Sequence, residues 1–119
     1  MSSSFEELKV WKKSCSLTIH LYELLRNCHD YGLKDQMLRA SVSIASNIAE
    51  GSERGSVKDF LRFLNIAKGS AAELRTQIYI SSQIKIFSSN DAKDLIREIE
   101  SISKMLQALT NTLSKNREL

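Results

Sequence analysis

What most limits how this chain can fold is an absence: it has no proline and only four glycines in 119 residues. Proline removes an amide donor and glycine loosens the backbone, so long stretches run without a breaker and predict long helices. The capping-box pair Ser4 and Glu7 and the uninterrupted run after it predict a first helix over about 5–28, closed by His29-Asp30-Tyr31-Gly32. A second is expected over 33–52, with Gly51 and Gly55 marking its exit. A third is expected over 56–87, where Ser56 and Asp59 can form another capping box. A fourth is expected over 90–115, after the three candidate caps Ser88, Ser89 and Asn90.

Periodicity sorts these helices into two kinds. In the fourth, Leu95, Ile99, Ile102, Leu106, Leu109 and Leu113 follow alternating steps of four and three, the seam of near-parallel bundle packing. Phe60, Leu64, Ala67, Ala71, Leu74 and Ile78 repeat it in the third. Short connections favour an up-down arrangement, so the fold class is an all-α, antiparallel four-helix bundle occupying the chain, 1–119, as one domain. The first two helices carry too much apolar surface for that role. Leu8, Trp11, Cys15, Ile19 and Tyr22 form one stripe, while Val10, Leu17, Leu21, Leu24 and Cys28 lie about 150° away. Leu33, Met37, Ala40, Ile44 and Ile48 are likewise doubled by Leu38, Val42, Ala45 and Ala49. Two stripes cannot face one core, which predicts a homo-oligomer; a wide stripe in a compact monomer is the alternative.

A third, polar face of the second helix comprises Gln36, Arg39, Ser43, Asn47 and Glu50, extended by Arg54. It has two readings: a ligand site built on Asn47, Glu50 and Arg54, or a structural network of Asn47, Glu50 and Arg54 with Glu73, Arg62 or Arg75 of the third helix. The face holds no histidine or cysteine and one carboxylate, so catalysis and a metal centre are not expected. His20 and His29 fall on different sides and read as surface or capping residues. Gly51-Ser52-Glu53-Arg54-Gly55-Ser56 lacks the Gly-Lys-Ser ending of a phosphate loop and follows a helix, so it reads as a turn. The amides that open the next helix, beside Arg54 and Lys58, can still attract a phosphate.

Seventeen Lys and Arg against fourteen Asp and Glu give a net charge of +3, which permits an anionic partner without requiring one. The third helix holds Lys58, Arg62, Lys68, Arg75 and Lys85 against Asp59 and Glu73, an excess equal to that of the whole chain. A solvated charged face and a phosphate-binding stripe both fit. No aromatic residue alternates with these bases along the chain, so stacking on single-stranded bases is not indicated. Cys15 and Cys28, thirteen apart in apolar surroundings and outside any CxxC, read as reduced thiols of a cytoplasmic protein. No apolar run reaches the roughly 18 residues of a membrane span. Met1-Ser2-Ser3-Ser4 has no signal-peptide core, and Arg117-Glu118-Leu119 is only faintly like an ER-retention signal.

Tyr31-Gly32-Leu33, Gln36, Arg39-Ala40, Ser43-Ile44, Asn47-Ile48-Ala49-Glu50-Gly51 and Arg54 resemble the central signature of the rRNA intervening-sequence protein family. The likeness begins with Phe5, Leu8, Val10 and Trp11 and continues through Phe60, Phe63-Leu64, Ala67, Gly69-Ser70 and Glu73-Leu74. Ala45 and the residues before Tyr31 depart from it, since many relatives carry proline there. The resemblance implies a small bacterial four-helix bundle assembled as a ring-like homopentamer. It also implies similarity to the accessory variability proteins of diversity-generating retroelements, which work with nucleic acid through a basic surface. On it the expected function is non-enzymatic binding of RNA or DNA through Lys58, Arg62, Lys68, Arg54 and Arg39, with no cofactor. The alternative is a protein-interaction scaffold that recruits an enzyme such as a polymerase.

Overall fold

The computed structural model describes residues 4–118; Met1 to Ser3 and Leu119, on which the readings of a leader and of a retention signal partly rest, lie outside the described residues. A 3-10 turn, Phe5–Glu7, precedes four helices: α1 Lys9–Leu24, α2 Tyr31–Glu53, α3 Val57–Gln83 and α4 Ser89–Glu118. Each helix packs on its neighbours in a closed cycle, α1 on α2 and α4, and α3 on α2 and α4. The result is a rod of 49 × 21 × 20 Å. Short connections and strictly local partners are what an up-down antiparallel bundle requires.

The core is built from one stripe per helix. α3 buries Leu64, Ala67, Ala71, Leu74 and Ile78, and α4 buries Leu95, Ile99, Ile102 and Leu106, while Phe60, Leu109 and Leu113 pack against them half-buried. α2 contributes Met37, Ala40, Ile44 and Ile48, and α1 contributes Val10, Leu17 and Leu21. Both seams therefore fall where the four-three spacing puts them. The second stripes of α1 and α2 divide: Leu8, Trp11 and Leu38 pack half-buried against the core, whereas Ile19 is 62% exposed, Tyr22 53% and Val42 44%. Side-chain pairs then tie α4 to both flanking helices, with His20 Nδ1 2.7 Å from Glu98 Oε2 and Arg75 donating to Glu100 at 3.1 Å.

Several boundaries differ from expectation. Ser4 makes no capping bond, and the helix expected from Phe5 starts at Lys9, because Leu8 is extended (ψ 125°). Residues six apart point to different sides of a continuous helix, and the break at Leu8 lets Phe5 meet the Trp11 ring edge-on at 5.2 Å. α1 also stops at Leu24 and not at Cys28; the chain turns so that Leu25 is still buried. α2 begins two residues early because Asp30 is its cap, accepting the Leu33 amide at 3.1 Å.

Gly51 was expected at the exit of α2 but lies inside it, and a Cβ there would sit 2.7 Å from Phe63 Cβ. It is a point of close helix approach. Gly55, at φ 83°, makes the actual turn. Ser56 caps α3 as expected, accepting the Asp59 amide at 3.1 Å. α3 ends at Gln83, short of Phe87, because Lys85 adopts φ 67° and the Ile86 amide returns to the Ser81 carbonyl at 2.9 Å. That is a Schellman closure without glycine. It turns Phe87 back into the core.

Candidate nucleic-acid interface

The expected basic residues divide into one group and two outliers. α2 and α3 meet at the Gly51 crossing, where the missing side chain lets the backbone of α2 approach Phe60 and Phe63. Arg54 from the end of α2 and Arg62 from the second turn of α3 both lie over the Phe63 ring, 5.0 and 4.5 Å from its centroid. Such contacts are electrostatic and hold a guanidinium in place without neutralising it. Lys58, one turn before Arg62, shares its helical face and is exposed. Among the described residues Lys58 forms no ion pair. Three cations from two helices thus converge where the chain turns through Arg54, Gly55 and Ser56.

Carboxylates moderate this group. Glu50 pairs with Arg54 at 2.8 Å, and Asp59 lies 3.9 Å from Arg62. Both pairs are about half exposed. Exposed pairs of this kind contribute little and are readily exchanged for another anion. The other two predicted residues stand apart. Arg39 is paired with Asp35 at 2.8 Å beside Tyr22 and Val42, in an open groove of about 480 Å³ between α1 and α2. Lys68 faces α4 and donates to Gln107 at 2.9 Å.

The polar network differs in membership from the expected one. Asn47 donates to the Ser43 carbonyl and hydroxyl at 2.7 and 3.0 Å, and Ser43 meets Ser70 of α3 at 2.8 Å. Glu50 and Arg54 form a separate intrahelical pair, and among the described residues Glu73 makes no hydrogen bond or ion pair with any of them. The reason is reach: Ser43, Asn47 and Ser70 flank the buried stripes, whereas Glu73 is exposed. Arg75, also considered, turns the other way to Glu100. Deeper in the seam Ser81 donates to Met37 Sδ at 3.4 Å, and Gln77, 6% exposed, has no partner for its Oε1 among the described residues.

The sequence reading missed the aromatic partner of the arginines. Phe63 lies outside the four-three seam of the third helix and enters the sequence reading only through the family resemblance; its role as a platform depends on Gly51, two residues before the end of α2. Among the described residues no group of three or more His, Cys, Asp or Glu is placed to hold a metal ion. No described helix is long and apolar enough to cross a membrane.

These features define an all-α four-helix bundle with a cationic cluster at one helix crossing and an apolar face left over. Comparison places it more narrowly: the sequence model of the 23S rRNA-intervening sequence protein family matches residues 6–108, and the chain belongs to that family. Among solved structures it is similar to a protein of unknown function from the S23 ribosomal protein family of Bacteroides thetaiotaomicron VPI-5482. The TM-score is 0.80 at 24% identity, covering 85% of this chain and 97% of that one. That likeness supports the bundle fold. No curated protein matches the chain.

Proposed function

We propose that this protein is a non-enzymatic, cytoplasmic homo-oligomer, a pentameric ring, that binds RNA or DNA through a basic surface repeated around the ring. The observation that carries this reading is the convergence of Arg54, Lys58 and Arg62 at the Gly51 crossing, with both guanidiniums held over Phe63. One such cluster, with two carboxylates nearby, is a weak anion site. Repetition around a ring multiplies the potential and lets one strand engage several subunits. The exposed stripe of Ile19, Tyr22 and Val42 supports assembly, since contiguous apolar surface of this kind marks an interaction face. The number five rests on the family resemblance alone. Cys15 and Cys28, both free thiols, accord with a reducing compartment.

Light scattering with and without a structured RNA, across a salt series, tests assembly and binding together. Three phosphate contacts per engaged subunit give a slope of about −2 to −3 in log affinity against log salt. Lys58→Glu with Arg62→Glu is expected to abolish binding while the oligomer survives. Binding that persists unchanged in that variant removes this site. An oligomer that ignores RNA at low salt overturns the reading in favour of the scaffold.

A further inference from the structure

The groove between the end of α3 and the start of α4 combines features that the chain order conceals. Its volume is about 380 Å³, within the range of small-ligand sites. Ile78 and Ala92, both buried, form its floor, and Ile96 forms part of a wall. Tyr79 stands at its edge, 64% exposed, an unusual place for so large a ring. From the facing helix come Lys93 and Arg97, one turn apart and both exposed. The acids nearby are already engaged: Glu100 by Arg75 at 3.1 Å and Asp94 by Arg97 at 3.3 Å, which leaves Lys93 without an ion-pair partner among the described residues. The groove also opens at the first turns of α4, where the helix dipole adds positive potential, although Asp91 in the same turn subtracts from it.

An apolar slot with an exposed aromatic edge and a cationic rim fits a ligand that is planar and apolar at one end and anionic at the other. We infer that this α3–α4 groove receives a nucleotide of a single-stranded nucleic acid, its base stacked on Tyr79 and its phosphate facing Lys93 and Arg97. Bases in a duplex are stacked on one another and cannot offer a face to Tyr79, whereas a single strand can splay one out. Stacking on Tyr79 departs from the expectation, drawn from residue order along the chain, that stacking is not indicated. No aromatic alternates with bases along any one helix, but the α3–α4 pairing sets an aromatic from one helix beside bases of the next. This inference rests on the nucleic-acid reading above and adds to it a preference for single strands and a second point of contact.

The test is fluorescence anisotropy of a labelled oligodeoxythymidylate and of a labelled duplex of equal length, at low salt. Wild type, Tyr79→Ala, Tyr79→Phe and Lys93→Glu are compared with the Lys58→Glu, Arg62→Glu double variant. Tyr79→Ala is expected to weaken single-strand binding by roughly tenfold or more, with duplex binding unchanged. Tyr79→Phe should retain it, and Lys93→Glu should weaken it. Because Tyr79 and Lys93 are exposed, these variants are expected to keep the wild-type circular dichroism spectrum. Equal single-strand affinity in Tyr79→Ala and wild type overturns the groove while leaving the Arg54 cluster standing. Failure of wild type to bind either oligonucleotide overturns both.

Discussion

The α3–α4 seam and the α1–α2 face are made of the same class of element, yet they dispose of their apolar residues in opposite ways. α4 gathers Leu95, Ile99, Ile102 and Leu106 into one buried stripe, and its exposed surface is charged and polar. α1 and α2 bury one stripe each and turn Ile19, Tyr22 and Val42 outward. Total hydrophobicity therefore does not distinguish a helix with one buried stripe from one that also turns apolar residues outward; the number of stripes does. α3 stands between the two cases, with a full core seam and, on its flanks, the exposed Ile66, Tyr79 and Ile80, followed by the exposed Ile84 that caps its end.

The strongest way to break that comparison is to truncate one residue from each side and measure stability by urea denaturation in a Val42→Glu background, which is expected to dissociate the oligomer proposed above. Leu74→Ala should cost about 2–5 kcal/mol, because a fully buried leucine leaves both lost transfer energy and a cavity. Ile19→Ala should cost under about 0.5 kcal/mol in the same background, being a surface residue there. Equal losses would mean that Ile19 serves the monomer's own fold.

Two glycines sharpen the contrast between crossing and surface. Gly51→Ala places a Cβ 2.7 Å from Phe63 Cβ and 3.1 Å from Phe60 Cδ1, so the helices must part. A net loss of about 1–3 kcal/mol is expected despite alanine's better helix propensity. The RNA binding proposed above should fall as well, because Phe63 carries both guanidiniums. Gly69 lies mid-α3 with nothing within 4 Å of its Cβ position, and Gly69→Ala should stabilise by about 0.5–1 kcal/mol. At the other end of α3, Lys85 holds a left-handed conformation that favours glycine, and Lys85→Gly is expected to gain about 0.5 kcal/mol. Thermal melts of all three variants read these signs directly; a stabilised Gly51→Ala would remove the close crossing.

How much of this was legible in the sequence follows from what each feature depends on. The bundle and its seams depend on spacing within a helix, and spacing is printed in the chain: Leu95 to Leu106 and Leu64 to Ile78 are buried where the four-three rule puts them. The exposed Ile19, Tyr22 and Val42 were legible for the same reason, whereas Leu8, Trp11 and Leu38 of the same stripes join the core. Helix ends were less so, because Leu8 leaves the helix to let Phe5 reach Trp11, and Lys85 does a glycine's work. The candidate site was the least legible part. Arg54, Lys58 and Arg62 could be named, but the Phe63 platform depends on a Gly51 contact across two helices, and the Tyr79 groove depends on which helices neighbour each other. Pairing between elements has no local signature.

The smallest effect concerns Cys15, which lies on the surplus stripe of α1 beside Ile19 and reports on whether that face is covered. Burial raises its thiol above the ordinary range of a cysteine, since desolvation disfavours the thiolate. The folded group thus keeps its proton to higher pH than the unfolded one. Its contribution to stability is complete below the unfolded thiol's pKa and is lost as pH rises through the raised folded one. Thiolate is the reactive form, so modification by a disulfide reagent should be slow at neutral pH and accelerate in alkali. If the α1–α2 face is an interface, wild-type Cys15 should react more slowly than Cys15 in Val42→Glu at the same pH. Cys28, a half-buried thiol just beyond the end of α1, should react at the same rate in both proteins. Identical Cys15 rates in the two proteins would show that face open in the wild type, and the apolar stripe would then belong to a partner other than a second copy.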